Sequence, residues 1–290
     1  MTSVTVRTDA LRTAPLREEH ADDAVRLSAE AGWNQTADDW RVMIRHGQGW
    51  GRFTRSGQLV ATTLLLPHAQ RIAWLAMVLV TERHRHQGIA SALMSQALQR
   101  CDELGLGAGL DATPDGRRVY RPHGFRDLYG LQRMQCARPR HRAVEVGGVS
   151  LRELGAIDAK RVIDLDAEVF GVPRAAIVDY LQKAAPQRAV VAKSAGRLVG
   201  FLLARPGHRA LHLGPITANR AEIAQALVSR ALVGVKGPIV IDVPDAQDRF
   251  QAWLTGVGFL PVRPFTRMLR NFAELGDPGR TFAVAGPELG

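Results

Sequence analysis

Cysteine is scarce: Cys101 and Cys136 are the two in 290 residues. So few thiols exclude a disulfide framework and a cysteine-built metal centre. Long apolar runs are missing as well. The longest uncharged one, residues 72–80, has nine residues, against the roughly 20 that a bilayer-spanning helix needs. The first 20 residues are charged throughout and lack a central apolar stretch. No signal peptide is expected there, the first dozen residues read as a loose leader, and the cytoplasm is the expected compartment. One histidine pair has His-x-x-x-His spacing, His208 and His212, but it lies in a loop entering a strand-like run rather than on a helix, so no metal is expected. Lysine occurs only at positions 160, 183, 193 and 236, so arginine supplies nearly all of the 38 cations set against 28 acids. Blocks of basic residues and basic-aromatic repeats are absent, which argues against a nucleic-acid binder. A nucleotide-bearing small molecule, or a coding bias toward arginine, accounts for the net +10 equally well.

What is present is an α/β pattern that occurs twice. Residues 18–31 carry an apolar stripe at helical spacing, and Thr36 can cap a second helix whose first turn holds Asp38 and Asp39. Strand-like runs at 49–55 and 58–66 flank Ser56-Gly57, a hairpin signal. Residues 71–80 are apolar on both faces, as in a central strand. An amphipathic helix over 88–104, a strand over 108–112, a short helix opened by Pro114 and a strand over 125–134 complete the series. The second half has the same order: helices over 154–169 and 175–184, a hairpin over 189–204, a strand over 211–217, a helix over 221–235, a strand over 239–243, a helix over 246–256 and a strand over 259–269. Each series closes on helix, Gly-Phe, strand, at Gly124-Phe125 and Gly258-Phe259. This reads as an internal duplication with a boundary near 138–148, giving units of 1–140 and 141–290. Residues 271–290 read as a tail packed on the surface or left loose.

The most informative stretch is the strand, basic loop and helix around Arg85-His86-Gln87-Gly88-Ile89-Ala90. A helix N-terminus offers unpaired N–H groups and partial positive charge, which suit a phosphate. Gly88 lets an anion approach the backbone, Ala90 keeps the first turn thin, and Arg83 and Arg85 add charge. Without an anion, basic residues at a helix start cost about 0.3–1 kcal/mol each against the dipole.

Val80-x-x-Arg83-x-Arg85-x-x-Gly88-Ile89-Ala90, followed by Tyr120 four residues before Gly124-Phe125, resembles the acetyl-CoA signature of the GNAT superfamily of N-acetyltransferases. The resemblance covers about residues 13–136. It implies two tandem mixed α/β domains, each a mostly antiparallel twisted sheet flanked by helices, with acetyl-CoA as co-substrate. It also implies that Met77, Val78 and Val80 offer backbone groups to the pantetheine arm, and that Arg83, Arg85, His86, Gln87, Gly88, Ile89, Ala90 and Ser91 hold the pyrophosphate. Tyr120 would protonate the departing thiolate; otherwise it is a core aromatic with a satisfied hydroxyl.

Direct attack by an amine also needs a base. Many relatives carry a Glu on the fourth strand, but residues 71–80 contain none. Asp111, at the end of the next strand, is the first candidate, unless it caps the Pro114 helix; Glu82 and His84 are alternatives. The second half lacks the Arg-x-x-Gly-x-Ala pattern and has Leu254 at the place of Tyr120, so it resembles a degenerate copy that forms one wall of the acceptor pocket. Gly32-Trp33-Asn34-Gln35-Thr36, Gly214-Pro215-Ile216 and Arg263-Pro264-Phe265 are similar to a subgroup of tandem bacterial acetyltransferases. Trp33, Asn34 and Trp40 either hold a small-molecule amine or anchor helices. The expectation is an N-acetyltransferase, monomer or homodimer, without nucleic acid, membrane or metal. The alternative is a CoA-responsive binding module without turnover.

Overall fold

The structure is a computed structural model describing residues 11–140 and 142–290. The expected leader, residues 1–10, lies outside the described residues. The first half runs β1 (Arg12–Pro15), α1 (Ala21–Glu30), α2 (Ala37–His46), β2 (Gln48–Phe53), β3 (Leu59–His68), β4 (Ile72–Val80), α3 (Ile89–Glu103), β5 (Gly107–Ala112), α4 (Pro114–Tyr120) and β6 (Arg126–Cys136). The second runs β7 (Ser150–Glu153), α5 (Ala156–Phe170), α6 (Ala175–Ala184), β8 (Val190–Ser194), β9 (Arg197–Arg205), β10 (Leu211–Ala218), α7 (Ala221–Leu232), β11 (Ile239–Pro244), α8 (Asp248–Gly256), β12 (Leu260–Arg270) and β13 (Thr281–Ala283). Among the described residues no helix is long and apolar enough to cross a membrane.

Local chemistry sets the helix starts. At α2 the Asp39 N–H donates to Thr36 Oγ1 at 3.3 Å, while Asp39 Oδ2 accepts from the Thr36 N–H at 2.7 Å, a reciprocal capping box. At α4 the Thr113 hydroxyl accepts from the Gly116 N–H at 3.2 Å, with Pro114 in the first turn.

The two halves share one 13-stranded sheet, in the order β1-β2-β3-β4-β5-β12-β6-β11-β10-β9-β8-β7, with β13 beside β10. The closing strands are exchanged. β12 of the second half pairs with β5 of the first, Arg267 opposite Asp111, and β6 of the first half pairs with β11 of the second, Arg133 opposite Asp242. Two sheets, one per half, were the expectation. Gly124-Phe125 and Gly258-Phe259 open the two strands alike, and β12 lies between β5 and β6 while β6 lies between β12 and β11. The halves therefore cannot part without breaking backbone ladders.

Helices cover both faces. α1 and α2 share one apolar core with α5 and α6, including Trp40, Leu165, Phe170 and Leu181. On the opposite face α3 packs on β4 and β5, and α7 and α8 pack on β10 and β11.

The tail corrects the sequence reading. Phe282, Ala283, Val284, Ala285 and Leu289 are buried, and β13 lies antiparallel to β10 with Ile216 opposite Ala283. The Trp74 Nε1–H donates to Pro287 O at 2.8 Å, tying the tail to the first half.

Candidate active site

The site begins with a wedge in the sheet. β4 and β5 are parallel and pair for three residues only, Ile72 with Gly107, Ala73 with Ala108 and Trp74 with Gly109. Beyond that they part. On its other edge β4 slips register against β3 between Thr62 and Leu64, and Met77 takes φ +53°, a bulge that turns backbone groups out of the ladder. The Thr62 hydroxyl holds the bulge by donating to Met77 O at 2.7 Å.

The wedge opens into a cleft with a cavity volume of about 200 Å³, walled by residues 75–78 of β4 and 110–113 around the end of β5. Its deeper wall comes from elsewhere in the chain: Trp33 and Gln35 before α2, Tyr120 of α4, Arg133 of β6, Arg263 and Phe265 of β12, and Pro287 and Glu288 of the tail. The cleft is thus built by both halves.

At the outer end of β4 stands the N-terminus of α3. Gly88 has φ +74° with nothing within 4 Å of where a Cβ would stand, so the approach to the helix start is unobstructed. The first bond into this helix runs from the Ala92 N–H to Gly88 O at 3.0 Å, leaving earlier N–H groups for an anion. Arg83, Arg85, His86 and Gln87 are exposed around it, and Arg85 Nε donates back to Val80 O at 3.2 Å. Ile89 is buried, whereas Ala90 and Ser91 are partly or fully exposed.

Tyr120 lines the cleft edge-on to Phe125, with ring centroids 5.9 Å apart. Burial pushes its phenol up to about 12, so it stays protonated at neutral pH. Its hydroxyl has no hydrogen-bond partner among the described residues.

Two carboxylates face the cleft. The Asp111 side chain is fully buried, and both its oxygens accept from Arg267, Oδ1 from Nε and Oδ2 from Nη2, each at 2.8 Å. Burial raises its pKa and the Arg267 fork works against that rise. Glu288 is 3% exposed; its Oε1 accepts from Arg205 Nη2, and Oε2 takes no hydrogen bond from the described residues. Arg205 is itself fully buried and also donates to Asp39 Oδ2 at 2.9 Å, while the Tyr180 hydroxyl donates to Asp39 Oδ1 at 2.9 Å. This network joins α2, α6, β9 and the tail.

The structure separates the residues singled out from sequence. Trp33 lines the cleft. Asn34 does not: its amide donates to Ala210 O and accepts from the Arg209 and Ala210 N–H groups, all at 2.9 Å, which clamps the loop between β9 and β10. Trp40 does not either; it is fully buried, with Nε1–H donating to Ser28 Oγ at 3.3 Å. Glu82 and His84 lie outside the cleft wall. Glu82 accepts nothing there and its N–H donates to Glu30, while His84 Nδ1 is 2.9 Å from Thr81 Oγ1. Gln35, Arg133, Arg263, Phe265 and Glu288 were missed as site residues. Three of them sit in the Gly-Trp-Asn-Gln-Thr and Arg-Pro-Phe motifs; Glu288 lies in a tail with no periodic pattern. No group of three or more acidic, His or Cys side chains is placed to hold a metal among the described residues.

The corresponding wedge of the second half differs. β10 and β11 also pair in parallel for three residues, Leu211 with Ile239 through Leu213 with Ile241. There β13 fills the opening, pairing with β10, and the Val284 N–H donates to Asp242 O at 3.0 Å. Gly214 permits this approach, since a Cβ there would stand 2.1 Å from Val284 O. α7 starts from Arg220 in extended conformation rather than from a glycine, and Leu254, at the place of Tyr120, is fully buried.

Comparison with known proteins agrees with this duplication. Residues 11–125 match the model of the acetyltransferase (GNAT) family, and residues 162–282 match a model described as an acetyltransferase (GNAT) domain. The chain is 24% identical over 247 residues to the uncharacterised N-acetyltransferase YitH of Bacillus subtilis (strain 168), covering 84% of this chain and 86% of that one. It is 22% identical over 298 residues to holothin acyltransferase of Pseudoalteromonas sp. (strain SANK 73390), covering 97% and 99%. A crystal structure of a putative acetyltransferase from Pyrococcus horikoshii superposes with a TM-score of 0.81 at 15% identity, over 100% of this chain and 99% of that one.

Proposed function

We propose that this chain, which belongs to the GNAT acetyltransferase family as a tandem of two such domains, transfers an acetyl group from acetyl-CoA to the amine of a small molecule by direct attack. The observation that carries the reading is the open wedge of the first half. It brings a bulged β4 and a protonated phenol into one cleft, with a glycine-started helix at the outer end of β4. Bound acetyl-CoA supplies an acyl group activated as a thioester.

The protein's own groups have separable tasks in this reading. The first turn of α3, with Gly88, Arg83 and Arg85, offsets pyrophosphate charge. The bulge at Met77, held by Thr62, turns backbone groups of Val78 toward an amide-bearing arm. Tyr120 stabilises charge on the departing sulfur. A phenol near 12 is a weaker acid than a thiol of about 8.5, so its help is an O–H hydrogen bond as charge develops rather than prior proton transfer. The amine proton goes to Glu288 in preference to Asp111, because Glu288 Oε2 is free of donors while both oxygens of Asp111 are held by Arg267. The second half acts as a degenerate copy: the β13 plug, Arg220 and Leu254 support that reading.

The experiment is release of free thiol from acetyl-CoA with a panel of primary amines, beside acetyl-CoA binding by calorimetry. Thiol release above the water blank with at least one amine is expected. Binding with no release for any amine would favour a CoA-responsive module without turnover, and no binding would overturn both readings.

A further inference from the structure

Each charged group in the cleft wall but one has a partner. Asp111 has Arg267, Glu288 shares Arg205 with Asp39, and Arg133 donates from Nε and Nη2 to Asp242 at 2.7 and 2.8 Å. Arg263 is the exception. It lines the cleft half-buried, and among the described residues it makes no hydrogen bond and no ion pair. Its guanidinium instead lies 4.7 Å from the centroid of the Phe265 ring, and that of Arg133 lies 5.2 Å from the same ring. Burial first, and then repulsion from Arg133, hold the pKa of Arg263 below the ordinary guanidinium range, against a smaller opposing pull from Asp242. A cation held partly out of water beside a second cation is costly unless an anion joins it.

Two further groups specify what shares the cleft. Gln35 is 6% exposed and its Oε1 has no donor, so a ligand N–H is wanted there. Glu288 Oε2 is likewise unengaged. The cleft therefore offers acceptors for an amine and one guanidinium that no hydrogen bond or ion pair engages among the described residues. Along β12, Arg263 is four residues from Arg267, the partner of Asp111, roughly 14 Å at strand rise, which puts it toward the far end from β5. A single guanidinium, with one charge in a planar fork, matches a carboxylate better than a phosphate dianion.

We propose that Arg263 is the specificity residue of the acceptor site and binds a carboxylate carried by the acceptor, so that the substrate is an amino acid or a similar amine-bearing carboxylate. This rests on the reading of the chain as an amine acetyltransferase. The ring of Phe265 lies beside the Arg263 fork, and Arg133 Nη1, which makes no hydrogen bond among the described residues, can add a donor to the same anion.

The test uses matched pairs of ligands: N-acetyl amino acids and the corresponding N-acetyl amino amides, titrated into the protein with CoA present. The acids should bind about tenfold to a hundredfold more tightly than the amides, the range for a charge-assisted hydrogen-bond pair. In Arg263→Gln that preference should shrink to less than about threefold, with Arg263→Lys between, since Lys keeps the charge and loses the fork. Equal binding of acids and amides to the unmodified protein, no binding of any acid, or a preference that survives Arg263→Gln overturns the proposal. Should the Gln variant fail to fold, the acid-amide comparison on the unmodified protein decides alone. Succinyl-CoA bound more tightly than acetyl-CoA, with that excess lost in Arg263→Gln, would put the carboxylate on the acyl chain and overturn the acceptor assignment. Loss of the acetyl-transfer reading is seen separately, as failure of acetyl-CoA itself to bind.

Discussion

In each half two parallel strands pair for three residues and then part, but what occupies the resulting wedge differs. Between β4 and β5 the wedge is open and walled by chemistry: a bulge, a phenol, two carboxylates and arginines. Between β10 and β11 it is closed by the chain's own β13, admitted by the missing Cβ of Gly214. A strand wedge is costly to leave unpaired, because its backbone groups need partners. The second half meets this need internally. The first leaves it open. The plugged half contributes to the open one, since its tail delivers Glu288 and its exchanged strand delivers Arg263 and Phe265 to the cleft wall.

The sharpest break in this picture comes at the seam. Arg205 is fully buried between Asp39 of the first half and Glu288 of the tail. Arg205→Met leaves both carboxylates uncompensated and should cost about 3–5 kcal/mol in chemical denaturation. A loss below about 1 kcal/mol would mean that the halves do not depend on this network. Next, Tyr120→Phe should lower turnover about a hundredfold while acetyl-CoA affinity stays within a factor of two. The counterpart change, Leu254→Tyr, should create no activity. Unchanged turnover in Tyr120→Phe removes the phenol from the mechanism. In pH profiles, the raised value of about 12 keeps Tyr120 protonated, so no loss of rate between pH 8 and 10 should depend on it.

Acid should weaken the same seam. His68 packs on Phe170 and is lowered to about 3 by burial and then by Arg174; His212 is lowered to about 4 by burial and then by Arg205. Both are neutral when folded and near 6.5 when unfolded, so their stability contribution is intact above pH 6.5 and is lost as pH falls toward 4. A decline of about 1 kcal/mol per pH unit for each is expected below pH 6, and His68→Gln should flatten it in denaturation curves recorded from pH 7 to 4.5. The smallest effect sharpens the helix comparison. Gly88→Val should weaken acetyl-CoA about tenfold, through a strained positive φ and a side chain in the anion's approach, whereas Arg220→Ala should leave binding unchanged.

Much of this was legible because it is local. Thr36, Pro114 and Gly88 announce helix starts through chemistry spanning four residues, and Tyr120 with Gly124-Phe125 marks the end of the first cleft. What was not legible is held by distant partners. The position of Asp111 at a strand end could be read, but its Arg267 partner is 156 residues away. Asn34 looked available until the loop it clamps, at Arg209 and Ala210, was in place, and Trp40 carries no local sign of which way it faces. Strand exchange is invisible in principle, because β6 and β12 open alike. The tail lacks periodicity because Thr281–Ala283 are its one short strand among the described residues, and the rest is irregular chain tied to Trp74 of the first half and Arg205 of the second.

The central claim is that one wedge of the two is a cofactor site. Calorimetric titration of the whole chain with acetyl-CoA tests it most directly. One equivalent per chain, weakened by Gly88→Val and untouched by Arg220→Ala, is the predicted result. Two equivalents, or one that ignores Gly88 and follows Arg220, would contradict it.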